Sequence, residues 1–470
     1  MFRRPNIAAQ LARAGANDSD LGLENGHRVA VLGGGPAGSL FSYFLLRWAE
    51  VIDLDLSVEI FEPRQFGHCG PSGCNHCGGI VSESLVQLLA TDGINLPGEV
   101  VQRGIDSYML HMDVGSVRIR TPVSQSRIAA VYRGNGPRLG GPTGLDGFDR
   151  FLQQMAVQRG ATVVPQLVNG VHREPDGRIR VETVEGNRAV YELVVVASGV
   201  NSRLMGDLLA AEGRPEAAAG TVKTFICEFR LGREVIAQRL GQSMHVFLLD
   251  LPRLQFAALI PKGDFVTLAM LGDDIDDELV AAFLGTREVR ERFSDGLPPP
   301  NCCHCFPRIN IRGTHRPYGD RVVMIGDAGV ARLYKDGIGA AYRTAKAAAS
   351  AAIFNGVAAC DFERHYMPAC RSISNDNLIG KMIFAASHVA QRYAFCRRAI
   401  FRMTWAEQSV PEGPRRMSGI LWDLFSGSAP YTDILRRACH PAFAAGILRH
   451  VLSGGGTPTC NPASGGAADA

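Results

Sequence analysis

A glycine-rich turn near the amino terminus constrains the fold more than any other segment. The apolar run Val29–Leu32 is followed by Gly33, Gly35 and Gly38 in a Gly-x-Gly-x-x-Gly spacing, and a helix opens at Pro36 and Ala37. The first glycine permits a tight turn, the second lets backbone approach a pyrophosphate, and the third allows close helix packing. The first backbone N–H groups of the helix would face the phosphates. The segment therefore predicts a Rossmann-type dinucleotide-binding unit.

A second strand strengthens this interpretation. The segment LSVEIFEPR ends in Glu62, Pro63 and Arg64, and Glu62 lies 24 residues after Gly38. An acidic residue about 20 residues after the glycines commonly binds ribose hydroxyls. We therefore predict that Glu62, with Pro63 and Arg64 beside it, contacts the ribose of the nucleotide.

A third segment indicates which dinucleotide is bound. The strand Arg321–Ile325 leads to Gly326 and Asp327, and Gly337, Ile338 and Gly339 then open an alanine-rich helix. This resembles the Gly-Asp segment of glutathione-reductase-type FAD proteins. The resemblance implies that Asp327 binds the ribityl chain and that the next helix points its positive end at the flavin. FAD is therefore the expected cofactor.

These pieces predict an α/β protein. Its FAD-binding Rossmann domain, of the glutathione-reductase type, is discontinuous in sequence, and it is joined by an antiparallel β-sheet substrate domain and a helical carboxy-terminal region. Alternating apolar and polar runs in segment 220–275 predict the antiparallel sheet. The expected boundaries are an extension over 1–27, the FAD domain over 28–85, 145–205 and 308–358, the sheet domain over 86–144 and 206–307, the helical region over 359–452, and a disordered tail over 453–470.

Composition narrows the function classes. The 470 residues carry a net charge of +3 from 49 basic and 46 acidic side chains, so no overall field favours nucleic acid. No run of 18 apolar residues occurs, and we expect a cytoplasmic protein. Arg392, Arg397, Arg398 and Arg402, interleaved with apolar residues, allow peripheral membrane contact, although a helix that caps the substrate domain is the favoured alternative.

The order of the segments resembles the geranylgeranyl reductase family, which shares the para-hydroxybenzoate hydroxylase fold. The matching stretches are Cys77-Gly78-Gly79-Ile80, the run from Phe256 through Pro261 to Asp264, and a carboxy-terminal helical segment with Tyr431. The resemblance implies reduction of a C=C bond in a hydrophobic prenyl or polycyclic substrate, or a lipid, by flavin hydride transfer. It places Gly78 and Gly79 at the cofactor. Cys77, Lys262 and Tyr334 are the candidate proton donors by position.

Two alternatives remain open. Flavin monooxygenases and halogenases share the fold, and halogenases typically carry a Trp-x-Trp-x-Ile-Pro motif, of which this chain keeps Ile260 and Pro261. Flavoprotein hydroxylases usually carry Asp-Gly where this chain has Ser198-Gly199. An electron-transfer flavoprotein is the other alternative. The electron donor, ferredoxin or NAD(P)H, is not fixed by any motif.

Two cysteine groups suggest a further centre. One contains Cys69, Cys74 and Cys77, and the other contains Cys302, Cys303 and Cys305. Closely spaced thiolates suit an iron-sulfur cluster or tetrahedral zinc. Cys69 and Cys74 also have a spacing similar to that of a redox disulfide beside a flavin. Unligated, reduced thiols are the remaining possibility.

Overall fold

A computed structural model describes residues 21–70, 77–122, 127–137, 147–200, 204, 220–293, 303–410 and 413–452. The chain divides into two compact units. The first unit comprises Met1–Asn75, Tyr132–Val222 and Arg308–Asn377, and the second comprises His76–Val131, Lys223–Pro307 and Leu378–Ala470. Residues 77–85, which the sequence assigned to the FAD domain, thus belong to the second unit.

The strands in chain order are β1 His27–Leu32, β2 Leu56–Phe61, β3 Ile80–Val81, β4 Val101–Ile105, β5 Ser107–Met112, β6 Gly115–Arg120, β7 Ile128–Val131, β8 Thr162–Val164, β9 Val168–Arg173, β10 Ile179–Thr183, β11 Arg188–Tyr191, β12 Leu193–Val196, β13 Gly220–Lys223, β14 Phe225–Arg230, β15 Ser243–Phe247, β16 Leu254–Lys262, β17 Phe265–Gly272, β18 His304–Cys305, β19 Arg308–Arg312, β20 Tyr318–Gly319 and β21 Val322–Met324.

The α-helices in chain order are α1 Pro36–Val51, α2 Glu83–Thr91, α3 Phe148–Val157, α4 Arg233–Arg239, α5 Asp277–Leu284, α6 Arg287–Arg290, α7 Gly337–Phe354, α8 Ala359–His365, α9 Met367–Arg392, α10 Ala394–Ser409, α11 Arg416–Ser426, α12 Tyr431–Ala438 and α13 Pro441–Leu452. A short 3₁₀-helix spans Gly326–Ala328.

The first unit is built on a six-stranded sheet in the order β20-β21-β12-β1-β2-β8. Strands β21, β12, β1, β2 and β8 run parallel, and β20 pairs antiparallel at the edge. The β12 sequence LVVV is buried along its whole length, as expected for a parallel strand covered on both faces. This sheet confirms the predicted Rossmann-type domain.

Helices α1 and α7 pack against each other beside this sheet. Phe44 of α1 and Tyr342 of α7 meet edge to face, with ring centroids 5.8 Å apart. The alanine-rich sequence of α7 permits close approach, and Ala340, Ala345, Ala348 and Ala349 are all buried. A second, antiparallel sheet in the order β11-β10-β9 shares with the parallel sheet an apolar core that includes Val171, Val181, Val194 and Val322.

The second unit contains a seven-stranded sheet in the order β18-β14-β17-β16-β15-β5-β6. Its pairs are antiparallel except for β5 and β15, which run parallel. One face carries Phe225, Cys227, Leu259, Leu268 and other core residues, and helices α4 to α6 supply residues such as Ile236, Phe283 and Val289 to the same core. The predicted antiparallel sheet is confirmed.

A small antiparallel sheet in the order β3-β7-β4, helix α2, the later part of α9 and helices α10 to α13 complete the second unit. Helices α10 to α13 and the later part of α9 form the predicted helical carboxy-terminal region. Within the described residues, no helix is both long and apolar enough to cross a membrane.

Candidate cofactor-binding site

The glycine turn of the first unit has the geometry that the spacing predicts. Gly33 has φ +114°, and a Cβ atom there would lie 2.5 Å from the Ala197 carbonyl oxygen. A Cβ atom at Gly38 would lie 1.9 Å from the Gly33 carbonyl oxygen. At Gly35 the nearest atom would be Nη2 of Arg133 at 3.5 Å. Gly33 and Gly38 thus let the turn form, and Gly35 leaves space above it.

The amino terminus of α1 presents unused donors to that space. Gly35 is the cap residue, Pro36 is the first helical residue, and no side chain caps this end. The first intrahelical bond within α1 is donated by Ser39 N to Gly35 O at 3.0 Å, so helix geometry leaves the N–H groups of Ala37 and Gly38 without an intrahelical acceptor. No acidic residue lies in the first turn. The end is therefore suited to an anion such as a pyrophosphate.

Glu62 lies at the end of β2 and is 3% exposed. Its Oε2 accepts hydrogen bonds from Gly34 N at 3.0 Å and from Arg64 Nη2 at 3.2 Å. Its Oε1 accepts from Arg64 N at 2.9 Å and from Arg64 Nε at 3.0 Å. The Arg64 side chain is 44% exposed. A ribose hydroxyl that binds Glu62 would therefore displace the half-exposed guanidinium and leave the bond to Gly34 in place.

A buried ion pair beside Gly35 was missed by the sequence reasoning. Arg133 Nε and Nη2 donate to the two carboxylate oxygens of Asp149 at 2.7 Å and 2.8 Å. Asp149 is fully buried in the first turn of α3, where Phe148 and Leu152 are also buried. Burial raises the pKa of Asp149, and Arg133 opposes that rise. The pair places a guanidinium, neutralised by Asp149, next to the glycine turn.

Asp327 follows β21 in the short 3₁₀-helix, as the sequence predicts for a ribityl-binding carboxylate. Its side chain is exposed, and its carbonyl oxygen accepts a bond from Asn310 Nδ2 at 3.1 Å. Gly326 has φ +58°, and a Cβ atom there would lie 2.8 Å from the Ala37 methyl group on α1. The lack of a side chain at Gly326 thus brings Asp327 close to the amino terminus of α1.

The loop before α7 is tightly constrained. Tyr334 and Asp336 adopt positive φ angles of 59° and 57°, which are uncommon for residues with side chains. Asp336 Oδ1 accepts a bond from Gly339 N at 3.1 Å, and its Oδ2 accepts from the buried Arg332 at 3.3 Å. Between them, burial lowers the pKa of Lys335 to about 7. This packing fixes the start of α7, where Gly337 and Ile338 were predicted to face the flavin.

The second unit holds the other predicted site residues. Lys262 is 1% exposed, and a Cβ atom at Gly79 would lie 2.9 Å from its Nζ. Glu228 lies on a neighbouring part of the sheet and accepts bonds from Thr267 Oγ1 at 2.9 Å and 2.7 Å. Burial raises the pKa of Glu228, and Lys262 opposes that rise. Lys262 and Glu228 thus form a buried, electrostatically coupled pair.

Segment Cys77–Gly79 packs on the same part of the second unit. A Cβ atom at Gly78 would lie 3.4 Å from Ile260 Cδ1, and one at Gly79 would lie 1.9 Å from the Val131 carbonyl oxygen. Gly79 N donates to Cys77 Sγ at 3.3 Å. Of the three candidate proton donors, Cys77 and Lys262 belong to this unit, whereas Tyr334 belongs to the first.

The predicted metal centre finds no support in the described part of the chain. There, no group of three or more His, Cys, Asp or Glu side chains is arranged to hold a metal ion. Cys69 Sγ donates to the Asn135 carbonyl oxygen at 3.0 Å, and Cys77, Cys303 and Cys305 are outside any disulfide bond. Cys74 and Cys302 lie outside the described residues. Cys69 is in the first unit and Cys303 and Cys305 are in the second, on or beside strand β18.

Comparison with known proteins gives one sequence match and many structural matches. The family model described as "Tryptophan halogenase" matches residues 145–218. No curated protein matches the sequence. The halogenase PltM in complex with ethyl mercury and mercury matches with a TM-score of 0.58 at 13% identity, over 90% of this chain and 91% of that chain.

Two further structures extend the comparison. The flavin-dependent brominase Bmp2 matches with a TM-score of 0.53 at 15% identity, over 90% of this chain and 93% of that chain. A variant of Klebsiella pneumoniae HpxO complexed with FAD matches with a TM-score of 0.54 at 16% identity, over 86% of this chain and 99% of that chain. At such identities the similarity establishes the fold alone, which this chain shares with these three structures. The predicted fold class is therefore confirmed.

Proposed function

We propose that this protein is an FAD-dependent oxidoreductase of the monooxygenase and halogenase type, acting on a hydrophobic, aromatic small molecule. The observation that carries the proposal is the tryptophan halogenase match over residues 145–218, together with a fold shared with halogenases along 90% of the chain. This favours the monooxygenase and halogenase interpretation of the sequence over C=C reduction of a prenyl chain.

The residues of the first unit fit FAD. Gly35 offers an open surface beside the unused N–H groups of α1, and the Arg133 guanidinium, which is paired with Asp149, lies close to it. Glu62 is held in place to bind a ribose, and the exposed Asp327 carboxylate is available for a polyol chain. Bound FAD would supply two-electron chemistry and, once reduced, reactivity toward O₂. The chain itself supplies binding, orientation and charge.

The second unit offers groups for the substrate. On the face of the seven-stranded sheet opposite its apolar core, β16 presents Ala258, Ile260 and Lys262, and β17 presents Thr267 and Ala269. We propose that this small, apolar face receives the hydrophobic ring. Lys262, beside Glu228, would hold or deliver a proton there. Cys77 and Tyr334 remain the other proposed proton donors.

The Cys-Gly-Gly motif no longer favours the reductase interpretation. A side chain at Gly79 would collide with the Val131 backbone, and Gly79 has φ +65°. The second glycine of the motif is therefore required by packing alone, whatever the reaction. As the electron donor we propose NAD(P)H, acting through a separate flavin reductase.

The decisive experiment supplies purified protein with FAD, a flavin reductase and NADPH. Aromatic substrates are offered in air with chloride, with bromide or without halide, and products are analysed by mass spectrometry. We expect O₂-dependent addition of a halogen or an oxygen atom. A parallel anaerobic reaction with dithionite-reduced FAD contains a geranylgeranyl substrate. Addition of two hydrogen atoms there, with no oxidised aromatic product in air, would overturn the proposal in favour of a reductase.

A further inference from the structure

The carboxy-terminal part of the second unit exposes an unusual amount of apolar surface. Of fifteen large hydrophobic side chains exposed in the described residues, ten lie between Leu378 and Leu452. Scattered exposed apolar residues are normal in proteins, but clustered ones mark interaction surfaces. The sequence alone favoured a capping helix with solvated arginines over a membrane contact.

Four of these side chains form a stripe along α9 and its end. Leu378, Met382, Val389 and Tyr393 are 61%, 60%, 54% and 50% exposed. At about 100° per residue, the four positions fall within an arc of about 60°. The opposite side of the helix is already packed, because Phe384 and Gln391 are buried there. We call the four residues the α9 stripe.

Charge around the α9 stripe has one sign. Residues 377–406 contain no Asp or Glu, whereas they contain Lys381, Arg392, Arg397, Arg398 and Arg402. Lys381, His388, Arg392 and Arg398 are exposed, and by helix geometry the first three flank the stripe on one side. Arg397 differs from the sequence expectation, because it is buried and binds Asp113 with both Nε and Nη2 at 2.6 Å.

The exposed ring of Phe395 extends the apolar surface beyond the α9 stripe. Phe395, at the start of α10, is 51% exposed, and its ring centroid lies 5.7 Å from that of Tyr393. Amphipathic rings at one end of an apolar stripe, with basic residues beside it, are typical of helices that lie in a membrane interface. A water-facing helix would carry polar residues along this side instead.

We propose that the α9 stripe, with Phe395, docks on the surface of an anionic lipid bilayer. Leu378, Met382 and Val389 enter the boundary between headgroups and acyl chains, while Lys381, Arg392 and Arg398 bind acidic headgroups. Charge complementarity selects a bilayer over a second copy of the chain, because two copies meeting at this surface would bring the same basic residues together. Docking would place the protein where hydrophobic substrates partition.

The test is flotation of the purified full-length protein with vesicles of phosphatidylcholine, alone or with about one-third phosphatidylglycerol. We expect binding to the mixed vesicles only, weakened by raising NaCl from about 0.1 to about 0.5 M because salt screens the headgroup contacts. Each basic residue near an anionic surface contributes about fivefold in partitioning. Arg392→Glu should therefore reduce binding to mixed vesicles at least about fivefold.

Met382→Glu with Val389→Glu should abolish vesicle binding, and Val184→Glu is the matched control because Val184 is 59% exposed in the first unit. Thermal unfolding followed by circular dichroism checks that every variant folds. Equal binding by the stripe variant and the control would overturn the proposal. So would a dimer in light scattering that the stripe variant alone converts to monomer, without vesicle binding by the parent protein.

Discussion

Gly35 and Gly38 lie three residues apart in one motif, and substitution by alanine should affect a different property of the protein at each position. At Gly35 a methyl group would project into open space, with Arg133 Nη2 at 3.5 Å as its nearest neighbour, and the φ of −68° suits alanine. At Gly38 the methyl group would lie 1.9 Å from a backbone oxygen that cannot move independently. Gly35→Ala should therefore impair cofactor binding, whereas Gly38→Ala should impair folding.

The magnitudes follow from these surroundings. Gly35→Ala changes a helix cap, so the apoprotein should lose at most about 1 kcal/mol of unfolding free energy. Its methyl group would occupy the place of the pyrophosphate, and we expect the Kd for FAD to rise at least tenfold, which is about 1.4 kcal/mol. Gly38→Ala gains up to about 1 kcal/mol from helix propensity, but overpacking against backbone costs about 1–3 kcal/mol or more.

The assays are urea unfolding of each apoprotein, followed by circular dichroism, and FAD titration followed by flavin fluorescence. Gly98→Ala is the control, because a Cβ atom there would also have nothing within 4 Å and Gly98 belongs to the second unit. An unchanged FAD affinity in Gly35→Ala would show that the pyrophosphate does not lie on this turn. Unchanged stability in Gly38→Ala would show that the Gly33–Gly38 contact is looser than the structure has it.

Asp149→Asn removes the charge that neutralises the largely buried Arg133, so the free energy of unfolding should fall by about 3 kcal/mol. Asp176→Asn, at the exposed pair with Arg178, is the control and should change it little. The measurement is the urea midpoint of each variant, and equal midpoints for the two variants would contradict the role of burial. Burial lowers the pKa of His245 to about 3 and that of His111, 2.9 Å away, well below its usual value. Each folded pKa is depressed, so the unfolded state binds more protons and stability falls as the pH drops below about 6.5, by about 1.4 kcal/mol per pH unit for each histidine. His245→Asn should flatten that decline in urea midpoints measured from pH 7.5 to 5, and an equally steep decline would disprove the assignment. Lys262→Met should abolish product formation at an unchanged Kd for FAD, with Lys346→Met as the control, and normal turnover would exclude Lys262 as the proton carrier.

The Rossmann-type sheet of the first unit was predictable because its sequence signals are local. Gly33, Gly35 and Gly38 lie within one turn, and the apolar runs before Glu62 and Asp327 are typical of strands whose ends meet at one sheet edge. The Arg133–Asp149 pair was not predictable, because its partners lie sixteen residues apart on different elements. An acidic residue in the first turn of a helix is usually exposed to solvent and stabilises the helix by its interaction with the helix dipole. Only the three-dimensional structure shows that Asp149 is buried.

The metal centre predicted from the cysteines finds no support among the described residues, for a related reason. Proximity in sequence suggested shared ligands, but a short loop can place neighbouring thiols against different surroundings. Cys69 donates its thiol proton to the Asn135 carbonyl in the first unit, and Cys77 receives a backbone N–H in the second. Burial raises the pKa of the Cys69 thiol. After Cys77, Gly79 is required by its close packing on the Val131 backbone, whereas a Cβ atom at Gly78 would make only an ordinary contact with Ile260. Gly79 therefore reports backbone geometry more directly than it reports chemistry.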